Sequence, residues 1–301
     1  MPPGPLVATL IANPAPPALS DALIARAAQA APGLAATQWL EPGVAADLFF
    51  EGDDAALALA RERLRAVLEG ERIDVVVQSA EGRRKKLLVA DMDSTLIGQE
   101  CVDELAARVG VGAHVAAITE RAMRGEIAFE PALRERVALL AGLPETVIAD
   151  VLESAITLTP GARTLVQTMR ANGAYAAIVS GGFTQFTGAI AGRLGFHEHR
   201  ANRLVVEHGR LAGRVSEPIL GRDAKLATLL ELRALRGLAS QETLAVGDGA
   251  NDLAMLAEAG LGVAYHAKPA VAAAAHARLD HTDLTALLYA QGYARSAFVE
   301  D

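Results

Sequence analysis

The sequence predicts an α/β protein: a parallel sheet flanked by helices, carrying a helical cap and preceded by a small α+β unit. Three observations point there. The first part of the chain alternates strand and helix patterns, three later apolar runs each end in a polar cluster and lead into helical spacing, and a long helix-rich stretch separates the first two runs. Composition agrees. Of 301 residues 51% are hydrophobic but only 4% aromatic, so the interior must be built from Ala, Val, Leu and Ile, as in layered α/β packing. That length suggests two domains.

Leu6 to Ala12 reads as a strand and Leu19 to Ala31 as an Ala-rich helix. Thr37 to Leu40 and Ala45 to Phe50 read as two strands around Glu41-Pro42-Gly43, followed by a helix over Asp53 to Leu68 and a strand over Ile73 to Gln78. The order βαββαβ is the ferredoxin-like arrangement, a small sheet with both helices on one face. Residues 1–82 are therefore expected to form one domain and 83–301 another. Between them, Glu81 to Lys86 holds a glycine and four basic residues, Arg83, Arg84, Lys85 and Lys86. Without interleaved aromatics, in an acidic protein, this run reads as a solvated linker rather than a nucleic-acid patch. A chain beginning near Arg83 is expected to fold by itself.

Beyond the linker, Leu87 to Ala90 runs into DMDST, Tyr175 to Val179 into SGG, and Leu244 to Val246 into GDGAND. Strands alternating with helices imply a parallel sheet, whose ligands collect beyond the carboxyl ends of the strands, so the three clusters converge. Residues of about 100–158, broken at Gly125, Gly142-Leu143-Pro144 and Thr159-Pro160-Gly161, read as a helical cap inserted over that edge. Arg203 to Val215 reads as a hairpin turning at His208-Gly209.

The net charge of −8 disfavours nucleic acid and anionic membrane surfaces as partners. No apolar run approaches the ~18 residues that span a bilayer, and the N-terminus has no basic residue ahead of its short apolar run. A cytoplasmic protein is expected. The single Cys101 fits a reducing compartment; lacking an evident His partner, it reads as a packing residue. His197 and His199, spaced i, i+2, could bind a soft metal, but surface histidines without function are commoner.

Asp91 and Asp93, one residue apart past a strand, can flank one reacting group, one attacking while the other moves protons. A carboxylate attacking phosphorus forms an acyl phosphate. Alone, DxD is as readily an Asx turn or a helix cap. Asp248 and Asp252 add hard oxygen ligands suited to Mg²⁺. Lys225 is the candidate to offset the charge of a phosphate, although most lysines are simply solvated. Ser180-Gly181-Gly182, between a strand and a helix, offers a hydroxyl and free N–H groups to an anion.

With hhhhDxDST, hhSGG, a downstream Lys and hhGDGxND in order, the chain resembles the haloacid dehalogenase superfamily of aspartyl-phosphate phosphatases. Within it, residues of about 87–290 are similar to the phosphoserine phosphatase family, from DMDSTLIGQE through GEIAFEPALRERVALLAGLP and SGGF to GDGANDLAML and AKPA. The resemblance implies a Rossmann-like core with Asp91 as nucleophile and Asp93 as general acid and base. It also implies Mg²⁺ held by the Asp91 carboxylate, the Asp93 carbonyl and Asp248, with Asp252 behind them. Phosphate would rest on Ser180, Gly181 and Lys225, and the remainder of phosphoserine on Glu100, Phe129, Arg136 and Asn251. The implied activity is Mg²⁺-dependent hydrolysis of phosphoserine in serine biosynthesis.

The N-terminal unit is similar in element order to ACT-type regulatory domains, which implies an amino-acid effector. Its runner-up reading is a docking or dimerising module, which would make the chain a homodimer. Two rival functions stand beside the hydrolase: a phosphotransferase passing the phosphoryl group to a hydroxyl such as that of homoserine, and an amino-acid-sensing protein that keeps the core as a scaffold. Intact Asp91, Asp93, Lys225 and Asp248 argue against the scaffold.

Overall fold

The computed structural model describes residues 4–31, 33–123 and 126–300; the expected break at Gly125 lies outside them. Strand β1 (Gly4–Ala12), helix α1 (Asp21–Ala30), strands β2 (Leu34–Glu41) and β3 (Ala45–Gly52), helix α2 (Asp54–Val67) and strand β4 (Ile73–Ser79) make an antiparallel sheet in the order β2-β3-β1-β4. Both helices start on side-chain caps. Ser20 Oγ accepts from the Leu23 N–H, and Asp53 Oδ1 from those of Ala55 and Ala56. Along β1, Leu6, Ala8, Leu10 and Ala12 face Ala27 of α1 and Leu64 of α2. This is the ferredoxin-like unit read from the sequence.

The second sheet is built from β5 (Leu87–Ala90), β6 (Tyr175–Phe183), β7 (Glu198–Asn202), β10 (Thr243–Gly247), β11 (Leu261–Tyr265) and β12 (Ala277–Leu279). Its order is β12-β11-β10-β5-β6-β7, and every pairing is parallel. Alternate residues of the central strands serve opposite faces. Leu87, Val89, Ala177 and Val179 pack with Leu229 of α9 (Arg222–Leu235) and Leu256 of α10 (Leu253–Glu258). Leu88, Ala90, Ala176 and Ile178 pack with Leu165 of α7 (Ala162–Ala171) and Phe186 of α8 (Thr184–Leu194). Burial on both faces accounts for strands that are continuously apolar in sequence. The short helix α11 (Pro269–Ala274) links β11 to β12, and α12 (Ala286–Ala290) follows β12.

The cap is α3 (Cys101–Ala107), α4 (Gly112–Met123), α5 (Phe129–Ala138) and α6 (Val147–Ser154). Hairpin β8 (Leu204–Glu207) and β9 (Arg210–Val215) leans on it: Gly142 N–H donates to Leu211 O and Leu211 N–H to Leu143 O, both at 2.8 Å. The hairpin turns at His208 and Gly209 with φ of 52° and 72°, a mirror-image turn that matches the strand twist.

The segment before β5 departs from expectation. Glu81 to Lys86 is not a solvated linker, because three of its four basic side chains are docked. Arg83 pairs with buried Asp47 at 2.8 Å, Arg84 lies 4.5 Å from the centroid of Tyr293, and buried Lys85 donates to the carbonyls of Gly82 and Gln241. Charge count alone could not reveal these partners, which lie far along the chain. The N-terminal sheet also turns its helix-free face inward: Ile11, Leu40, Val44, Ala45 and Val76 belong to the same core as α7 and α12. Buried Asp74 accepts from the N–H groups of Asp280, His281 and Thr282 and from the Thr282 hydroxyl, and Gln78 Nε2 donates to Ala290 O at 2.7 Å. No helix among the described residues is long and apolar enough to cross a membrane.

Candidate active site

The carboxyl ends of β5, β6 and β10 bring the three polar clusters together. The Asp91 N–H continues the ladder to Val246 O, and its carboxylate turns back so that Oδ1 accepts from the Met92 N–H at 2.8 Å and Oδ2 meets Lys225 Nζ at 2.7 Å. Lys225, on α9, also reaches Asp252 Oδ1 at 2.6 Å and is almost wholly buried. Burial opposes its charge, but Asp91 and Asp252 outweigh burial and hold the lysine protonated well above its ordinary range. The second Asp252 oxygen accepts from the Gly249 N–H, so Asp252 fixes both the lysine and the GDGAND turn.

Asp91, Asp248 and Asp252 present carboxylate oxygens within 4.8 Å of one another. Asp248, anchored by the Thr95 hydroxyl at 3.1 Å, is pushed up to about 6 by burial and by Asp252. Three carboxylates facing one ammonium leave the cluster electronegative, and a set of hard oxygens with strained like charges fits a hard divalent cation. Thr95 went unremarked in the sequence, although its place in DMDST was the available signal.

Asp93 follows Asp91 by two residues and lies between α3 and β6. Its Oδ1 accepts from the Cys101 N–H at 3.2 Å, and burial, with Glu100 adding like charge, raises its pKa to about 7. A carboxyl poised near neutrality can both give and take a proton. Its Oδ2 approaches β6 so closely that a Cβ on Gly182 would stand 2.7 Å away, so a larger residue there would displace the carboxylate. The sequence reading also needs correction at this strand. Rather than ending at Val179, β6 continues to Phe183 with helix α8 starting at Thr184, and the Gly182 N–H is already donated to Ser180 Oγ at 2.9 Å.

The cap supplies the other wall. Ser94, in a left-handed conformation with φ of 53°, donates its hydroxyl to Glu100 Oε1 at 2.7 Å. The Phe129 ring stands over the strand end, 3.2 Å from where a Gly181 Cβ would lie. Arg136 donates to Ala132 O and, at 3.3 Å, to the Thr119 hydroxyl; burial lowers its pKa against the opposing charges of Asp103, Glu100 and Asp93. Asn251 lies half-buried in the turn beside Gly249. The predicted residues thus lie along the β5, β6 and β10 ends or on the cap, apart from Lys225, which reaches Asp91 and Asp252 from α9.

The histidine pair and the cysteine stay outside this chemistry. His197 stacks on Tyr175 with centroids 4.4 Å apart and accepts from the Ala176 N–H, while His199 Nδ1 lies 2.8 Å from Thr187 Oγ1, so the two rings serve different packing contacts. Cys101 is buried, and burial together with Asp93 drives its thiol far above the ordinary range.

Comparison with known proteins follows the same lines. The pattern of the haloacid dehalogenase-like hydrolases matches residues 88–257. A phosphoserine phosphatase of Streptomyces coelicolor is 44% identical over 245 residues, covering 81% of this chain and 59% of that protein, so the chain spans about three fifths of that relative's length. The unliganded structure of a probable phosphoserine phosphatase from Vibrio cholerae superposes with a TM-score of 0.77 at 32% identity, covering 97% of this chain and 88% of the other. A phosphoserine phosphatase solved as a phospho-aspartyl intermediate analogue gives a TM-score of 0.64 at 39% identity, covering 68% of this chain and 98% of the other.

Proposed function

The chain belongs to the haloacid dehalogenase-like hydrolase family, and on that premise we propose that it hydrolyses O-phosphoserine to serine and phosphate with Mg²⁺. The observation that carries the reading is Asp91, gripped by buried Lys225 within a cluster of two further carboxylates and facing an Asp93 whose pKa lies near neutrality.

In this reading Asp91 Oδ attacks phosphorus and the serine alkoxide departs, taking a proton from Asp93. The acyl phosphate on Asp91 is then hydrolysed by a water that Asp93 deprotonates. Asp91, the Asp93 carbonyl and Asp248 would hold Mg²⁺, with Asp252 behind them, and the ion would supply charge neutralisation at the transferring phosphoryl group. Lys225 keeps Asp91 oriented and offsets the incoming phosphate charge, while Ser180 and Gly181 border that group. On the cap, Glu100 faces the substrate ammonium and Arg136 its carboxylate, with Phe129 and Asn251 closing the walls. A site built for both charged groups discriminates against esters that lack them. A cytoplasmic role in serine biosynthesis follows from the same reading. So does a regulatory or dimerising role for residues 1–82, which a serine-dependent change of rate or a doubled mass would support.

The test is release of free phosphate from phosphoserine, phosphothreonine and sugar phosphates with Mg²⁺, with and without homoserine. Preference for phosphoserine, abolished by chelation, is expected. Preference for a sugar phosphate would overturn the substrate, and homoserine phosphate as the main product would replace hydrolysis by phosphoryl transfer.

A further inference from the structure

One polar group at the cap is not used by the mechanism. Asp103, in the first turn of α3, lies three residues after Glu100, the N-cap of that helix, and donates its N–H to Glu100 O at 3.0 Å. Asp103 Oδ1 is buried without a hydrogen-bond partner among the described residues. Burying a carboxylate oxygen that no donor satisfies is costly, so such an atom calls for a functional account.

Arg136 is the candidate donor. Among the charges that oppose the burial of Arg136, Asp103 comes first, ahead of Glu100 and Asp93, and Arg136 is in turn the charge that opposes the burial of Asp103. Here, however, the guanidinium is parked on Ala132 O at 3.2 Å and on the Thr119 hydroxyl at 3.3 Å. The cap thus holds, on two of its helices, a guanidinium with long hydrogen bonds and a carboxylate oxygen with no partner among the described residues, and the two charges act on one another.

We infer that Asp103 is a positioning residue for Arg136: when an amino-acid phosphate ester enters, Arg136 leaves Thr119, sets one edge of its fork on Asp103 Oδ1 and presents the other to the substrate carboxylate. A planar guanidinium with five donors can serve two carboxylates at once. The inference rests on the phosphoserine reading, because it needs a substrate with a carboxylate.

The test compares phosphoserine with p-nitrophenyl phosphate, which has no carboxylate, across wild type, Asp103→Asn, Arg136→Ala and the double variant. Asp103→Asn is expected to raise KM for phosphoserine about tenfold with kcat nearly unchanged, and to leave p-nitrophenyl phosphate unaffected. In the double variant the loss should equal that of Arg136→Ala alone, since the two residues act as one unit. Asp103→Glu, which restores a carboxylate, should recover part of KM and serves the same comparison if the Asn variant does not fold. Additive losses, or equal losses on both substrates, would overturn the role of Asp103 alone. A wild type that turns over p-nitrophenyl phosphate but not phosphoserine would overturn the substrate reading and this inference with it.

Discussion

Asp74 offers a quantitative test of how the two sheets are joined. Its carboxylate accepts four hydrogen bonds at 2.9, 3.1, 3.0 and 2.7 Å from the loop after β12. Thr282 is buried, so Asp74→Ala would leave its N–H and hydroxyl without water or acceptor, whereas the N–H groups of half-buried Asp280 and His281 can turn to solvent. At about 1–3 kcal/mol for each stranded buried group and less for the other two, with losses overlapping, the change should destabilise the protein by roughly 3–5 kcal/mol. For a chain of this size that lowers Tm by roughly 5–8 °C if unfolding is cooperative. Calorimetry on wild type and variant reads it directly. A Tm within about 2 °C of wild type would refute the idea that this carboxylate ties the N-terminal sheet to the catalytic body.

Other outcomes follow from specific contacts. Gly182→Ala places a methyl 2.7 Å from Asp93 Oδ2, and displacing that carboxylate should cut kcat by about 10- to 100-fold with little change in Tm; unchanged turnover would remove Asp93 from proton transfer. A chain starting at Arg83 uncovers the apolar surface that Ile11, Val44 and Val76 now shield, so it should aggregate or melt at least about 10 °C lower, and a truncated protein as stable as the full chain would refute the shared core. Burial pulls Lys85 down to about 8 from an ordinary 10.5, so the unfolded chain binds more protons between those values and stability rises with pH there. Relative to Lys85→Met, wild type should therefore gain Tm from pH 8 towards 10.5, and a constant gap would contradict the burial of its charge.

The catalytic sheet was legible because its signals are local. Continuous apolar runs such as LLVA end in DMDST, and a doubly buried parallel strand must read that way. The polar clusters that hold Asp91 and the GDGAND turn were legible for the same reason, each being short and contiguous, whereas Lys225 stood out only by its place between the second and third clusters. What stayed hidden depends on partners distant in sequence. Nothing near Arg83, Arg84 or Lys85 foretells Asp47, Tyr293 or the Gln241 carbonyl, so docked side chains read as a solvated run. The strand through Ser180, Gly181 and Gly182 was read short because adjacent glycines resemble a turn, whereas their lack of side chains here admits Asp93 and Phe129. Asp103 drew no reading from the sequence, where its i, i+3 spacing from Glu100 was the one available signal.

Rapid-quench labelling tests the mechanism most directly. Wild-type protein mixed with Mg²⁺ and phosphoserine carrying a labelled phosphoryl group should, within one turnover, hold that group covalently on Asp91, as located by peptide mass analysis. The label should chase to free phosphate and be absent from Asp91→Asn, which should fold but not turn over. Hydrolysis at the wild-type rate by Asp91→Asn, or rapid phosphate release with no phosphoryl group ever attached to Asp91, would contradict nucleophilic catalysis by this carboxylate.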